Sequence, residues 1–428
     1  MIYASTFLSY SSVDGNIVQL VARELGRRGI LPWLDKNELG PGTDMVEQLD
    51  RAIKNQTTVT LFLSEAAVAS KWVEDELKAA LTLEKESGAG ERIIPVFMGD
   101  VKRLVGTHPL LKNQWMHPDG DGRITRKGII VEADQEPQTA AKKIAEKLAR
   151  TIYQVLDIKK KDDLIIYIDQ RGSGRRHGEP PDIPGNICSL NSPVLVFRTD
   201  QGKRSTGETL HGEAWQETRD IMRETLEAAL GTIHGPSPRK IRLLGNSQLA
   251  FPFLIGWHCN RNTNVSLYCY NMDGSIFSNE NQERYTPLRG GNPRCETRHK
   301  NISPIPPGIE LEAISLLLAP EIYVPPVLSY IKEMPIETPL KWVKSGRFQN
   351  SGEAMQYIAD VVALLEKLCS EHRIRKVYLY CGLPFHMVPL LAANLLHVIE
   401  TIVFMEYRRD LQGINEPINR MYTPLLLL

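Results

Sequence analysis

ASTFLS at residues 4–9, DGNIVQLVARELGRRG at 14–29 and ILPWL at 30–34 decide the fold class of the first half. The outer two runs are short, apolar and rich in β-branched or aromatic side chains, and turn residues bound them. They read as strands buried on both faces. Between them Ile17, Leu20, Val21 and Leu25 fall on one face of a helix, with Asp14 placed to cap its start and Gly29 just past its end. Strand, amphipathic helix, strand is the repeating unit of a parallel sheet covered by helices. The alternation continues with strands over 58–64 and 93–98, and with helices after Thr43 and Asp44, over 70–83 and over 138–156.

The chain has 428 residues, enough for about two to four domains. Its formal net charge is zero, which argues against gripping duplex nucleic acid or an anionic membrane through bulk charge and leaves room only for local basic pockets. The six cysteines form no C-x-x-C pair, so neither a disulfide framework nor a zinc knuckle is expected, and the usage suggests a reducing cytoplasm. The ten histidines show no metal-ligand spacing, so no metal is expected. No window approaches the roughly 18 apolar residues of a membrane span. The closing leucines at 425–428 read as a buried final strand.

Residues 157–163 are charged and break the apolar periodicity, which puts a domain boundary there and divides the chain into 1–156 and 163–428. Beyond it come a strand at 164–168, a loop holding Arg171, Arg175 and Arg176, a strand at 194–197, a helix over 213–230 and a strand at 241–244. The second half also repeats itself. Gly245 aligns with Gly382, Pro252 with Pro389 and Leu254 with Leu391, all at one offset of 137, and the following strands at 265–270 and 402–407 stay in step. Two Rossmann-like lobes derived from one unit are expected.

Four motifs stand in order in the first half: Phe7-Leu8-Ser9-Tyr10-Ser11, Trp33-Leu34-Asp35 followed by Leu39-Gly40-Pro41-Gly42, Leu61-Phe62-Leu63-Ser64, and Ser70-Lys71-Trp72 with Glu76-Leu77. Together they resemble the signatures of a TIR domain, a flavodoxin-like parallel-sheet fold, over roughly the first 155 residues. The resemblance implies cleavage of NAD at its nicotinamide-ribose bond, with Glu76 catalytic. Trp72 and Glu76 are four apart on one helix, so a carboxylate projects beside an aromatic wall. Such a wall can stack a nicotinamide or adenine ring, and the carboxylate can stabilise positive charge developing at the anomeric carbon. Ser9, Tyr10 and Asp35, at the ends of the first two strands, are the further NAD-binding candidates. The resemblance assigns Lys36, Leu39, Gly40 and Gly42 to a loop through which TIR domains contact one another. Ser11 and Ser12 stand where some relatives carry arginines.

The second half resembles a SAVED domain, a fusion of two CARF-like lobes that senses cyclic oligonucleotides. The doubled turns Gly245-Asn246-Ser247 and Gly382-Leu383-Pro384 carry that resemblance, because backbone N–H groups and helix N-termini there can receive phosphates. Arg198, Lys203 and Arg204 are the basic candidates nearby. TIR followed by SAVED looks like the effector of a bacterial CBASS antiphage system. That resemblance implies cyclic tri-adenylate as activator, NAD as substrate rather than cofactor, and ligand-driven self-association that completes the TIR site. The rival reading is a non-enzymatic TIR scaffold under nucleotide control. The glycines at 172–178 do not make a dinucleotide fingerprint, since His177 stands where the third glycine is needed.

Overall fold

A computed structural model describes residues 1–34, 53–87, 92–119, 122–132, 135–170, 178–187, 191–198, 210, 212–230, 240–260, 265–270, 275–279, 299–334, 338–395, 398–407 and 422–426. In chain order the first half holds β1 (Ile2–Tyr3), β2 (Ser5–Ser9), α1 (Gly15–Arg27), β3 (Leu31–Leu34), β4 (Thr58–Leu63), α2 (Glu65–Val68) and α3 (Lys71–Ser87). There follow β5 (Ile93–Phe97), α4 (Val101–Thr107), α5 (Pro109–Trp115), β6 (Ile129–Ile130) and α6 (Pro137–Val155). The second half holds β7 (Asp163–Asp169), β8 (Pro193–Arg198), α7 (Gly212–Leu230), β9 (Lys240–Asn246), α8 (Ala250–Asn260), β10 (Ser266–Tyr270) and β11 (Ile276–Ser278). It ends with β12 (Ala313–Ala319), α9 (Val324–Glu333), β13 (Leu340–Lys344), α10 (Ser351–His372), β14 (Lys376–Cys381), α11 (Val388–Asn394), β15 (Thr401–Tyr407) and β16 (Tyr422–Leu426).

The fold is α/β with parallel sheets, as the alternating pattern predicts. In the N-terminal unit the strands lie in the order β3-β2-β4-β5-β6, each pair parallel. All five residues of β2 and all six of β4 are buried, which is why both are apolar without alternation. Phe7, Val59, Leu61 and Leu63 from the strands join Leu77 and Ala80 of α3 in one core cluster, and Trp33 stacks on Phe7 with ring centroids 4.9 Å apart. The buried stripe of α1 is Val18, Val21, Ala22 and Leu25, so the face expected at Ile17 and Leu20 is rotated by about one residue and those two are half-buried.

Compact units divide the chain differently from the sequence boundary. Met1–Lys161 form one with Ser173–Gly202, and Asp162–Gly172 form the other with Lys203–Leu428. The break near residue 161 matches the charged stretch, where Asp157 takes a left-handed φ of 50° and a short 3-10 turn follows over Ile158–Lys160. β8 belongs to the six-stranded sheet ordered β1-β8-β7-β9-β10-β11. β8 runs parallel to β1, with Ile2 opposite Pro193 and Tyr3 opposite Val194. Val194, Leu195, Val196 and Phe197 are fully buried, each such burial stabilising by about 1.5–3 kcal/mol. Gly29, at φ 74°, leaves room for Leu195, whose Cβ would stand 3.0 Å from a side chain added there.

The second unit contains the two expected lobes. In the first, β8 stands beside β7, while β7, β9 and β10 run parallel in that order and β11 closes the edge antiparallel. In the second, β12, β14 and β15 run parallel in the same order and β16 closes the edge antiparallel, with β13 added beside β12. The repeated blocks thus occupy equivalent strands and helices, and the topology extends the repeat to flanking strands that the offset alone does not reach. Leu425 is buried within β16, the expected final strand.

Candidate functional site

In a sheet ordered β3-β2-β4-β5-β6 the chain reverses direction of travel between β2 and β4, and such a switch point opens a crevice beyond the strands' C-terminal ends. Ser9 and Tyr10 end β2 there, and Ser64 follows β4. Ser9 is fully buried, and its Oγ has no hydrogen-bond partner among the described residues. Tyr10 is buried too. Asp14 does not cap α1 as the sequence predicts. Its carboxylate instead accepts a 2.7 Å hydrogen bond from Ser64 Oγ, which in turn accepts from the N–H of Ala67 at the start of α2. The loop after β2 is therefore tied to the loop after β4 across the crevice. Burial pushes the Asp14 carboxyl above its ordinary range, and the Ser64 bond opposes that push.

Helix α3 presents three consecutive carboxylates with two fates. Glu74 and Asp75 face outward among Lys71 and Lys78, with Lys78 Nζ 2.7 Å from Glu74, and that contact lowers the Glu74 pKa. Glu76, about 100° further round the helix, has no exposed surface at all. Burying a carboxylate costs several kcal/mol unless the surroundings hold it.

The far end of α3 is anchored by Glu84, whose two oxygens receive the Arg126 guanidinium at 2.8 and 3.1 Å, and whose Oε1 also accepts the Ile93 N–H at 3.0 Å. Burial pushes the Glu84 carboxyl up, but the guanidinium and the backbone donors outweigh it and hold the group below the ordinary range. His108, which the sequence did not single out, caps α5 by accepting the Leu111 N–H on Nδ1. Asp35, Lys36, Leu39, Gly40 and Gly42 lie outside the described residues, as does the side chain of Trp72; its backbone sits in the first turn of α3.

In the doubled lobes the expected glycines are explained by close backbone approach. Gly245 lies within β9 at φ 130°, and a Cβ there would fall 2.1 Å from the Ile168 carbonyl of β7. Gly382 follows β14, donates its N–H to Leu318, and would bring a Cβ within 2.8 Å of Ala319 Cβ. Asn246, Gly382 and Pro384 are exposed, whereas Ser247 and Leu383 are buried.

The N-terminus of α8 already holds a carboxylate, because Glu406 of β15 accepts the Leu249 N–H at 3.3 Å on one oxygen and the Ala250 N–H at 3.1 Å on the other. Arg198 ends β8, and its guanidinium donates to the Glu179 carbonyl. Lys203 and Arg204 lie outside the described residues. A buried amide cluster that the sequence gave no reason to single out sits at the ends of β7 and β9: Gln248 donates its backbone N–H to Gln170 at 2.6 Å, and its side chain takes both the N–H and the carbonyl of Leu210.

Among the described residues no three His, Cys, Asp or Glu side chains are placed to hold a metal, and no described helix is long and apolar enough to cross a membrane. Cys259, Cys269, Cys369 and Cys381 are free, and burial pushes the Cys259 and Cys381 thiols up to about 12, which makes them poor nucleophiles.

A parallel α/β domain of strand order β3-β2-β4-β5-β6, with a fully buried carboxylate on α3, is the class that the N-terminal geometry defines. Residues 6–119 match the TIR domain family, and the N-terminal unit carries a TIR domain. No curated protein matches the chain. Solved structures similar to it include the Acinetobacter baumannii Cap4 SAVED/CARF-domain containing receptor with the cyclic trinucleotide 2'3'3'-cAAA, 11% identical over 96% of this chain and 97% of that one, with a TM-score of 0.43. The Moraxella osloensis Cap4 SAVED/CARF-domain containing receptor is 12% identical over 98% and 100%, with a TM-score of 0.36. The TIR domains of the activated Roq1 resistosome are 20% identical over 36% and 98%, with a TM-score of 0.23.

Proposed function

We propose that the protein is a NAD glycohydrolase switched on by a cyclic oligonucleotide, the effector of an antiphage response that depletes NAD. The observation that carries this reading is the complete burial of Glu76 on the helix where a TIR domain of the enzymatic kind places its catalytic carboxylate. In the proposed reaction the bond between the ribose anomeric carbon and the nicotinamide nitrogen breaks, and nicotinamide leaves with the bonding pair. The Glu76 carboxylate stabilises the oxocarbenium-like centre, and water supplies the hydroxyl that ends on ADP-ribose while a proton is released. Ser9 and Tyr10 at the end of β2, with Trp72 and Asp35, would hold the dinucleotide.

The second unit would bind the activator, cyclic tri-adenylate, between its paired lobes. Self-association would then complete the TIR site through the loop at 36–42. Two lobes of the same strand order suit a ligand that itself repeats.

Purified protein incubated with NAD and a panel of cyclic di- and trinucleotides should release nicotinamide with one of them. Glu76→Gln should lower that release by at least about 10³-fold, as loss of a principal electrostatic stabiliser does, while nucleotide affinity stays within about twofold. Nucleotide binding with no nicotinamide release from the unaltered protein would replace this reading with the scaffold.

A further inference from the structure

The proposed reaction leaves one proton without a destination. Water that adds to the oxocarbenium-like carbon must lose a proton before ADP-ribose is formed, and a positioned side chain speeds that transfer. We infer that Asp14 is the base that takes it, with Ser64 as the positioning residue that aims its carboxylate. The inference rests on the reading above, in which the N-terminal unit cleaves NAD.

Asp14 is fixed by its backbone. Its N–H donates to the Ser11 carbonyl at 2.9 Å, closing the short 3-10 turn over Ser12–Asp14 that lies between the end of β2 and the start of α1. β2 and β4 pair in parallel with Ser9 beside Leu61, so the residues that follow the two strands leave the sheet on one edge. That edge is the crevice, and it is where Asp14 and Ser64 meet although fifty residues separate them. The Tyr10 ring, one of the surfaces proposed to receive the dinucleotide, stands beside the same turn, 3.8 Å from where a Cβ on Gly15 would lie.

The side chain is placed as a base rather than as a cap. A carboxylate at the start of a helix ordinarily accepts that helix's own N–H groups. Asp14 accepts none from α1. Its Oδ2 is engaged by Ser64 Oγ at 2.7 Å, and Ser64 Oγ takes the Ala67 N–H at 3.0 Å, which leaves the hydroxyl proton for Asp14. Among the described residues Oδ1 has no hydrogen-bond partner, so it keeps a lone pair for a water molecule. Burial holds the carboxyl above its ordinary range against the opposing Ser64 bond, and a carboxylate so raised accepts a proton more readily than an exposed one. Asp14 is only half-buried, so a proton received there passes on to bulk water. The step balances with no further reagent. The water oxygen bonds to the anomeric carbon, one of its protons passes to Asp14 Oδ1, and the pair that bound the nicotinamide has already left with it.

Two fates of one intermediate separate a base from a brace. Hydrolysis moves a proton, whereas the return of nicotinamide, followed as exchange of isotopically labelled nicotinamide into NAD, reverses the first step and moves none. In full-length protein activated by saturating cyclic tri-adenylate, Asp14→Asn keeps an oxygen for the Ser64 hydroxyl and should lower the ratio of hydrolysis to exchange by at least about tenfold. The exchange itself should rise, since an intermediate denied its base returns to NAD. Asp14→Glu, which keeps a carboxylate on a longer stem, should restore part of the ratio. Ser64→Ala, which removes the orienting donor, should lower the ratio by about threefold, and it decides the matter if circular dichroism shows that Asp14→Asn does not fold. Equal losses of hydrolysis and exchange in folded Asp14→Asn, or wild-type ratios in Asp14→Asn or Ser64→Ala, would make Asp14 a brace of the crevice and leave the functional reading intact. Absence of nicotinamide release from the unaltered protein would overturn the functional reading, and the base with it.

Discussion

The two lobes of the second unit share one strand order but differ at three equivalent positions, each related by the 137-residue offset. Gly245 in the first lobe sits at φ 130°, where a Cβ would fall 2.1 Å from the Ile168 backbone, whereas at Gly382 in the second the nearest atom is the Ala319 Cβ at 2.8 Å and backbone comes no closer than 3.4 Å. Gly256 of α8 lies so close to α11 that a Cβ would fall 2.0 Å from the Pro389 carbonyl, while its counterpart in α11 is Ala393. Glu406 of β15 reaches the N-terminus of α8, while its counterpart in β10 is Cys269, a thiol that burial pushes well above its ordinary range. A duplicated unit has thus kept its topology and specialised its contacts. The first lobe carries the tighter backbone approaches, and the second lends it a charge.

Substitutions at matched positions test that asymmetry. The largest effect is expected at the helix crossing, where Gly256→Ala drives a methyl into the main chain of α11 and should destabilise the second unit by more than about 3 kcal/mol, whereas Ala393→Gly should cost about 1 kcal/mol. Urea midpoints of the two variants give the comparison, and equal shifts would break it. Next, Gly245→Ala combines a positive φ with a clash against backbone and should cost about 3 kcal/mol, against about 1–2 kcal/mol for Gly382→Ala. Hydrogen exchange of β7 and β12 amides would show which sheet opens. Smallest is Glu406→Gln, which keeps an acceptor for the α8 N-terminus but removes the charge, for a loss of about 1 kcal/mol in the same unfolding experiment. A loss no larger than that of Cys269→Ala would mean the carboxylate adds nothing beyond packing.

Strand identity and the inward carboxylate were legible in the sequence for a simple reason. Both depend on local periodicity: β2 and β4 are apolar runs because both faces are buried, and Glu76 is singled out by its four-residue spacing from Trp72. What escaped was partnership. The apolar run at 193–198 announces a buried strand but carries no sign that β1, from the start of the chain, would line one of its edges. Asp14 has the right residue type and position for a helix cap, yet Ser64, fifty residues away, offers its carboxylate a better donor. The repeat's glycines are legible, but their cause is strand crowding, a fact about neighbours 77 and 63 residues distant in the chain. Glu406 lies 156 residues from the N–H of Ala250 that it receives, and no window of sequence spans that gap.

The insertion of β8 also orders events during synthesis. When the ribosome has finished residue 161, the five TIR strands exist, but the N–H groups of Ile2 and Ala4 and the surface beside Gly29 still await their partner. An unpaired strand edge invites wrong pairings. That edge is closed only after β7, the first strand of the other unit, has already emerged. A nascent chain therefore cannot finish the edge beside β1 before β8 emerges, and a product truncated near residue 161 would carry the unpaired N–H groups of Ile2 and Ala4.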